Sequence, residues 1–173
     1  MNRFMIVVNP DKDTDSTVTN RIQSYLEAHG AACMVRDVFH LEFSDWEALK
    51  KEQFDCVLVL GGDGTLLRMA GETEDIDIPL FGINLGTVGF LTEGEVANIE
   101  EILDRLLTDD FTIEERMMVT GTVTKADGTT YRKSALNDIV ISRAGFSRLI
   151  GLNVSVDGQV LDTYEADGVV IST

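Results

Sequence analysis

Cys56-Val57-Leu58-Val59-Leu60-Gly61-Gly62-Asp63-Gly64-Thr65-Leu66-Leu67-Arg68-Met69-Ala70 is the stretch on which the fold turns. An apolar run of strand length stops at two glycines, and an amphipathic run follows at once. A buried strand therefore passes into a helix through a tight turn. Glycine tolerates backbone conformations closed to other residues and lets a ligand approach the main chain closely. Such a turn aims amide N–H groups and a helix N-terminus at one point, which suits an anion such as phosphate. Asp63 stands in the middle of it. A carboxylate there repels phosphate unless it binds a metal ion or takes a proton, so the pattern points to phosphoryl transfer rather than to nucleotide binding alone. The plain alternative is a strand-to-helix connection in which Asp63 caps the helix.

Working outward, the same alternation repeats. Phe4 to Val8 is a short apolar run ended by Asn9-Pro10, and reads as a first strand. Ser16 is placed to cap a helix running to about His29, with Val18, Ile22, Tyr25 and Leu26 on one face and Gly30 ending it. Ala31 to Arg36 is a second strand, and Ser44-Asp45-Trp46-Glu47 has the spacing of a capping box opening a short helix. Phe54 to Leu60 is the third strand. Pro79 to Asn84 is a fourth, followed by Gly86 and Gly89. Thr92-Glu93-Gly94-Glu95 is a second capping box, predicted to open a helix reaching about Leu107 with Ile99, Ile102, Leu103 and Leu106 as its apolar stripe. Strands alternating with helices predict an α/β fold with a parallel sheet covered on both faces. In such sheets ligands bind beyond the carboxyl ends of the strands. Both glycine-rich segments lie there, which predicts that Asp63 and the Asn84–Phe90 loop share one crevice.

The texture changes near Phe111. From Met117 onward apolar and polar residues alternate, and Asp127-Gly128 and Asp157-Gly158 read as hairpin turns. Two domains follow: an N-terminal α/β domain over 1–113 and an antiparallel β-rich domain over 114–173. The chain stops at Thr173 directly after the apolar Gly168–Ser172 stretch, with no turn or closing strand, as expected of a second domain cut short.

The sequence has 173 residues and a formal net charge of −16, which argues against a nucleic-acid partner. Backbone dipoles and a few arginines can still hold a small anion, and a divalent cation helps. No apolar run is long enough to cross a membrane as a helix, and the first residues lack the pattern of a signal peptide. Cys33 and Cys56 fall in predicted strands without metal-ligand spacing. They read as small core residues in a reducing, cytoplasmic setting.

Three further segments accompany the glycine turn. Asn84-Leu85-Gly86-Thr87-Val88-Gly89-Phe90-Leu91 combines two glycines three apart with an amide and an aromatic ring. Alone it reads equally as an ordinary loop. Asn137-Asp138 opens the apolar Ile139-Val140-Ile141 and could bind a hydroxyl pair or an adenine edge, or simply cap a strand. Asp167 stands just before Gly168-Val169-Val170-Ile171-Ser172-Thr173. In this order, and over essentially the whole chain, the four segments resemble the NAD kinase family.

The resemblance implies a fold with an N-terminal α/β domain and a C-terminal β domain, NAD and ATP as substrates, and Mg²⁺ bridging phosphate oxygens. It implies that Asp63 accepts the proton of the adenosine 2′-hydroxyl of NAD. Gly61, Gly62, Gly64 and Thr65 form the turn at the substrates, and Arg68 matches a position that touches NAD. Asn84 and Phe90 belong to the loop lining the adenine region. Asn137 and Asp138 match an Asn–acidic pair that binds NAD. Asp138 stands where most of the family carries Glu, one methylene longer. Arg148 matches a variable polar or basic contact, and Asp167 matches the aspartate that holds the nicotinamide side. No residue is assigned as a metal ligand. Members of the family are homo-oligomers, so a homodimer or homotetramer is expected. The family continues past Ser-Thr into a Pro-Thr-Gly-Ser-Thr-Ala-Tyr type segment that contacts NAD, and the chain by itself is therefore expected to be inactive.

Two rivals stay open at this point. The glycine turn also resembles those of diacylglycerol and sphingosine kinases. A non-catalytic nucleotide-binding module would carry the same motifs without turnover.

Overall fold

In the computed structural model, residues 53, 87, 88, 146 and 147 fall outside the described set, as do the side chains of Phe43, Ser44, Ala48 and Glu52. Thr87 and Val88 of the Asn84–Leu91 segment, and the Ser44 hydroxyl of the first capping box, therefore lie outside the described residues. The chain divides into two compact units, Met1–Glu115 and Arg116–Thr173.

The first unit is a parallel sheet with helices on both faces. Its strands are β1 (Arg3–Val8), β2 (Ala32–Asp37), β3 (Cys56–Gly61), β4 (Leu80–Asn84) and the short β5 (Gly94–Glu95), in the order β2-β1-β3-β4-β5. Phe4 of β1 is in register with Cys33 of β2 and Cys56 of β3, and Val57 to Gly61 pair with Leu80 to Asn84. β3 is central and wholly buried, which is why its sequence is a continuous apolar run rather than an alternating one. Alternate residues serve opposite faces. Phe4, Ile6, Leu58 and Leu60 pack with Ile22 and Leu26 of α1 (Thr17–Ala28) and with Ile99, Leu103 and Leu106 of α4 (Ile99–Leu107). Met5, Val7, Val57 and Val59 pack with Leu49 of α2 (Phe43–Glu52) and with Leu66 and Met69 of α3 (Asp63–Glu72). Strand order reverses between β1 and β3, and in sheets of this kind ligands bind beyond the carboxyl ends of the strands at such a switch point.

Three helix starts differ from the sequence reading. Ser16 does precede α1, but in a left-handed conformation (φ 56°) with no side-chain cap bond. The first amides of α1 are taken instead by aspartates of the preceding turn. Asp15 accepts from Thr17 N–H at 3.1 Å, and Asp13 accepts from Val18 N–H at 3.2 Å and Thr19 N–H at 2.8 Å. At α2 the box is shifted by two residues, with Asp45 accepting the Glu42 N–H at 3.0 Å. The third difference is larger. Glu95 does not cap a helix. It pairs as a strand with Asn84, a single 3-10 turn follows, and α4 begins only at Ile99. Parallel pairing at the sheet edge takes the segment that the capping-box spacing assigns to a helix.

Among its described residues the second unit holds three antiparallel pairs. β6 (Val119–Thr124) pairs with β7 (Thr130–Ala135), β8 (Asp138–Ser142) with β11 (Gly168–Ser172), and β9 (Ile150–Val156) with β10 (Gln159–Ala166). Gly128 (φ 83°) closes the first hairpin. Asp157 (φ 50°) and Gly158 (φ 79°) both turn left-handed in the last, the conformation that two-residue hairpin loops favour. No described residue from Arg116 to Thr173 is buried. Among the described residues no helix is long and apolar enough to cross a membrane.

Candidate functional site

The strand-to-helix turn owes its geometry to sterics more than to unusual backbone angles. Gly61, Gly62 and Gly64 all keep φ outside the left-handed region. A Cβ on Gly61 would lie 2.7 Å from the Thr65 Cβ, so β3 and α3 meet this closely only with glycine there. Thr65 is correspondingly buried, and its Oγ1 lies 3.5 Å from Asn9 Nδ2 on the loop after β1. Gly61 and Thr65 thus form the packed floor of the turn. Gly62 and Gly64 form its open side, where an added Cβ would meet nothing within 4 Å. Gly62 is the N-cap of α3, its carbonyl accepting Thr65 N–H at 2.9 Å and Leu66 N–H at 3.2 Å. The first amides of the helix have no acceptor within it.

Asp63 opens α3, but its carboxylate does not cap that helix. It reaches across to the end of the Asn84–Leu91 segment. Oδ2 accepts the Phe90 N–H at 2.8 Å, while Oδ1 accepts the N–H groups of Leu91 at 3.1 Å and Thr92 at 3.3 Å, with the Thr92 hydroxyl at 3.5 Å. The Phe90 N–H, joined by those of Leu91 and Thr92, outweighs the cost of desolvation and holds this carboxyl below the ordinary carboxylate range. A Cβ on Gly89 would fall 2.5 Å from the Asp63 Cγ, so the loop closes on the carboxylate only because residue 89 is glycine. Asp63 and the Asn84–Phe90 loop therefore do meet, and the join is made of backbone amides.

The other end of that loop is pinned as well. Leu85 N–H donates to the Gly61 carbonyl at 2.8 Å, and the buried Asn84 folds its Oδ1 onto the Gly86 N–H at 2.9 Å. An open crevice of about 350 Å³ lies beside it, lined by Asn84, Leu85, Gly86, Glu95, Val96 and Ala97. The Phe90 ring is 99% exposed and touches none of the turn. Arg68, one helical turn into α3, stacks its guanidinium 5.8 Å from the centre of the Phe39 ring on the loop after β2. Among the described residues no cluster of three or more His, Cys, Asp or Glu side chains is placed to hold a metal ion. The partners of Asp63 are all N–H or O–H donors, which do not fit a cation.

In the second unit Asn137 and Asp138 sit at the start of β8, both exposed. The Asn137 carbonyl accepts the Thr173 N–H at 3.1 Å, and Asp138 pairs in register with Ser172. Asp167 lies at the other end of the same strand pair, where Gly168 faces Ser142. Asp167 lies opposite Arg143, five residue steps along the ribbon from Asp138, about 17 Å. Asp167 is ion-paired with Arg143, Nε to Oδ1 2.8 Å. Arg148 is exposed. The unit thus sets the Asn137-Asp138 pair and Asp167 apart along one ribbon rather than in a cluster.

Sequence reasoning read Gly89 as one of two loop glycines and Thr92 as the start of a helix, linked neither to Asp63, and passed over Arg143. The contact of Thr92 with Asp63 spans 29 residues and rests on main-chain amides, which carry no side-chain signature. Arg143 was open to inference, as the basic residue closing the strand that faces the Asp167 segment.

Residues 4–111 match the family described as the ATP-NAD kinase N-terminal domain. The NAD kinase of Lachnoclostridium phytofermentans is 41% identical over 177 residues, covering 100% of this chain and 62% of that protein. The NAD kinase of Lachnospira eligens is 39% identical over 178 residues, covering 100% of this chain and 61% of its own length. The chain thus spans less than two thirds of these curated relatives. The crystal structure of yeast NADH kinase complexed with NADH superposes with a TM-score of 0.77 at 19% identity, over 99% of this chain and 57% of that one, a likeness of fold. With a family match over most of its first unit and relatives aligned along the whole of this chain, the chain belongs to the NAD kinase family.

Proposed function

We propose that the protein carrying this chain transfers the terminal phosphoryl group of ATP to the adenosine 2′-hydroxyl of NAD, giving NADP. The observation that carries the reading is the Asp63 carboxylate, kept ionised by three backbone N–H groups at a glycine turn beyond the carboxyl end of β3. Phosphoryl transfer asks little covalent chemistry of the protein. It asks for in-line positioning and for stabilisation of charge. The open amides beside Gly62 and Gly64 suit phosphate oxygens. Magnesium is proposed to enter with the donor, as Mg-ATP, where it would offset phosphate charge.

Asp63 Oδ2 accepts one N–H, that of Phe90, and so retains a lone pair for a substrate hydroxyl. A carboxyl held below its ordinary range is a weak base toward a ground-state alcohol. It suffices when the proton leaves only as the oxygen bonds to phosphorus, and until then Asp63 orients the hydroxyl. Asn137, Asp138, Arg148 and Asp167 are proposed as NAD contacts. The spacing of the Asn137-Asp138 pair from Asp167 suits two ends of an extended dinucleotide. Arg68, Asn84 and Phe90 are proposed to line the acceptor side.

A cytoplasmic location and assembly into a homodimer or homotetramer belong to the same proposal. Burial pushes the Cys56 thiol up to about 12 and the Cys33 thiol up to about 11, so both stay protonated and inert, as suits a reducing compartment. Assembly is supported by exposed apolar side chains on the second unit, among them Val160 and Leu161.

The test is NADP formation from NAD and Mg-ATP by the intact protein, with NADH and diacylglycerol as rival acceptors and inorganic polyphosphate as rival donor. Turnover with diacylglycerol and not with either dinucleotide would replace this reading with a lipid kinase. Nucleotide binding without turnover of any acceptor would make it a binding module.

A further inference from the structure

The loop after β1 supplies a cation that neither the glycine turn nor the motifs account for. Lys12 lies on that loop, and its Nζ stands 3.8 Å from the position a Cβ on Gly86 would take. Strand order places β3 between β1 and β4, so a side chain running from the first loop to Gly86 crosses the carboxyl end of β3, where Gly62 and Asp63 turn. The ammonium therefore lies beside Gly86, which itself lines the crevice bounded by Asn84 to Gly86 and by Glu95.

The loop that carries it is fixed. Asn9 N–H donates to the Leu60 carbonyl at 2.8 Å, Asn9 Oδ1 accepts the Asp11 N–H at 3.0 Å, and the Asn9 carbonyl accepts the Lys12 N–H at 3.0 Å. The next residue, Asp13, is buried and binds the first turn of α1. The ammonium itself is unspent. Arg21, Arg36, Lys51, Arg105 and Arg143 each hold a carboxylate, whereas Lys12 has no ion-pair or hydrogen-bond partner among the described residues. In a chain of net charge −16, an ordered and unpaired lysine over a strand-end crevice marks the place where an anion goes.

We propose that Lys12 binds the phosphate chain of the phosphoryl donor and stabilises the charge that spreads over the transferred group. The proposal rests on the phosphoryl-transfer reading above. Lys12 comes from the loop after β1 and reaches Gly86 on the loop after β4, so a donor held by it would span the strand ends on either side of β3. Three donor hydrogens on a flexible stem suit a triphosphate or an inorganic polyphosphate equally.

Lys12→Met and Lys12→Arg in the intact protein test this, read as KM for Mg-ATP and for NAD separately. Lys12→Met is expected to raise KM for Mg-ATP or lower turnover by about tenfold or more, with KM for NAD and the melting midpoint unchanged. Lys12→Arg is expected to restore most of the loss. Lys125→Met is the charge control: this exposed lysine lies between β6 and β7, and its loss should leave both KM values unchanged. A rise in KM for NAD alone would move Lys12 to the acceptor and overturn the proposal, as would unchanged kinetics. Should the wild type make no NADP, the kinase reading fails by itself. Titration with inorganic tripolyphosphate then decides on Lys12: weaker binding by Lys12→Met supports it, equal binding overturns it.

Discussion

The two units use the same apolar residues to opposite effect. In the first, Leu58 of β3 is 0% exposed and packs with residues of α1 and α4. In the second, Val170 of β11 is 61% exposed and Val160 of β10 is 78% exposed, although both belong to well-paired strands. Pairing satisfies the backbone in both regions, but only the first region also removes side chains from water. The ladder therefore gives shape and burial gives stability, since apolar burial contributes about 25 cal/mol per Å² while a net hydrogen bond adds about 1 kcal/mol. A two-stranded ribbon by itself is marginal in water.

Amide hydrogen exchange on this 173-residue chain gives the widest separation between the two regions. Amides of β3 open only with the whole first unit, and those of β6 and β7 open locally, so protection is expected to differ by about 10³-fold or more. Equal protection would mean that the ribbons share the cooperativity of the first unit. Side-chain truncation repeats the contrast on one residue each. Leu58→Ala is expected to lower stability by about 3 kcal/mol, from lost transfer energy and the cavity left behind. Val170→Ala is expected to stay within about 0.5 kcal/mol, as for an exposed side chain. Denaturant melts of both variants decide it, and a large loss from Val170→Ala would show that this face is covered.

The catalytic contrast lies inside the first unit, between the floor of the turn and its open side. Asp63→Asn keeps the size of the side chain and removes its charge. Turnover of the intact protein is expected to fall by about 10²-fold or more, in line with the contribution of positioned proton acceptors. The amide places an N–H donor against amides that are themselves donors, so part of the loss comes from loosening of the Phe90–Thr92 loop. Gly89→Ala separates the two causes. It leaves the charge in place and drives a methyl into the carboxylate, and about a tenfold loss of turnover is expected from misplacement alone. An unaffected Gly89→Ala variant would show that the clamp is incidental to the chemistry.

What the sequence discloses here follows the range of the interaction. The run Cys56–Leu60, the glycines after it and the stripe Ile99, Leu103, Leu106 are local patterns, and each reappears in the structure as a strand, a turn and a buried helix face. Fold class follows from their alternation. The failures are non-local. Thr92 to Glu95 has the spacing of a helix start, yet Glu95 pairs with Asn84 and Thr92 turns to Asp63, and both partners come from other strand ends. Ser16 has the chemistry of a cap, but the aspartates of the preceding turn reach the same amides first. Asp63 itself stood out in the sequence as a candidate from its place in the turn. The partners that keep it ionised did not, because they are main-chain N–H groups 27 to 29 residues away.

That ionised state fixes the smallest of the expected effects, a pH response that stays flat. The Phe90, Leu91 and Thr92 amides bind the charged form and lower the carboxyl from its ordinary value. A lowered carboxyl keeps its charge as pH falls through the usual carboxylate range, about 4, and loses it only when pH passes the lower value. Turnover should therefore show no limb from Asp63 between about pH 8 and about pH 5, and any acid limb that vanishes in Asp63→Asn should lie below about pH 4. A limb near neutrality that disappears in Asp63→Asn would mean that bound substrate strips the carboxylate of its amides and raises it into the range of a true general base. The loop clamp would then be a feature of the unliganded turn alone, and the division between a packed floor and an open side would hold only until substrate arrives.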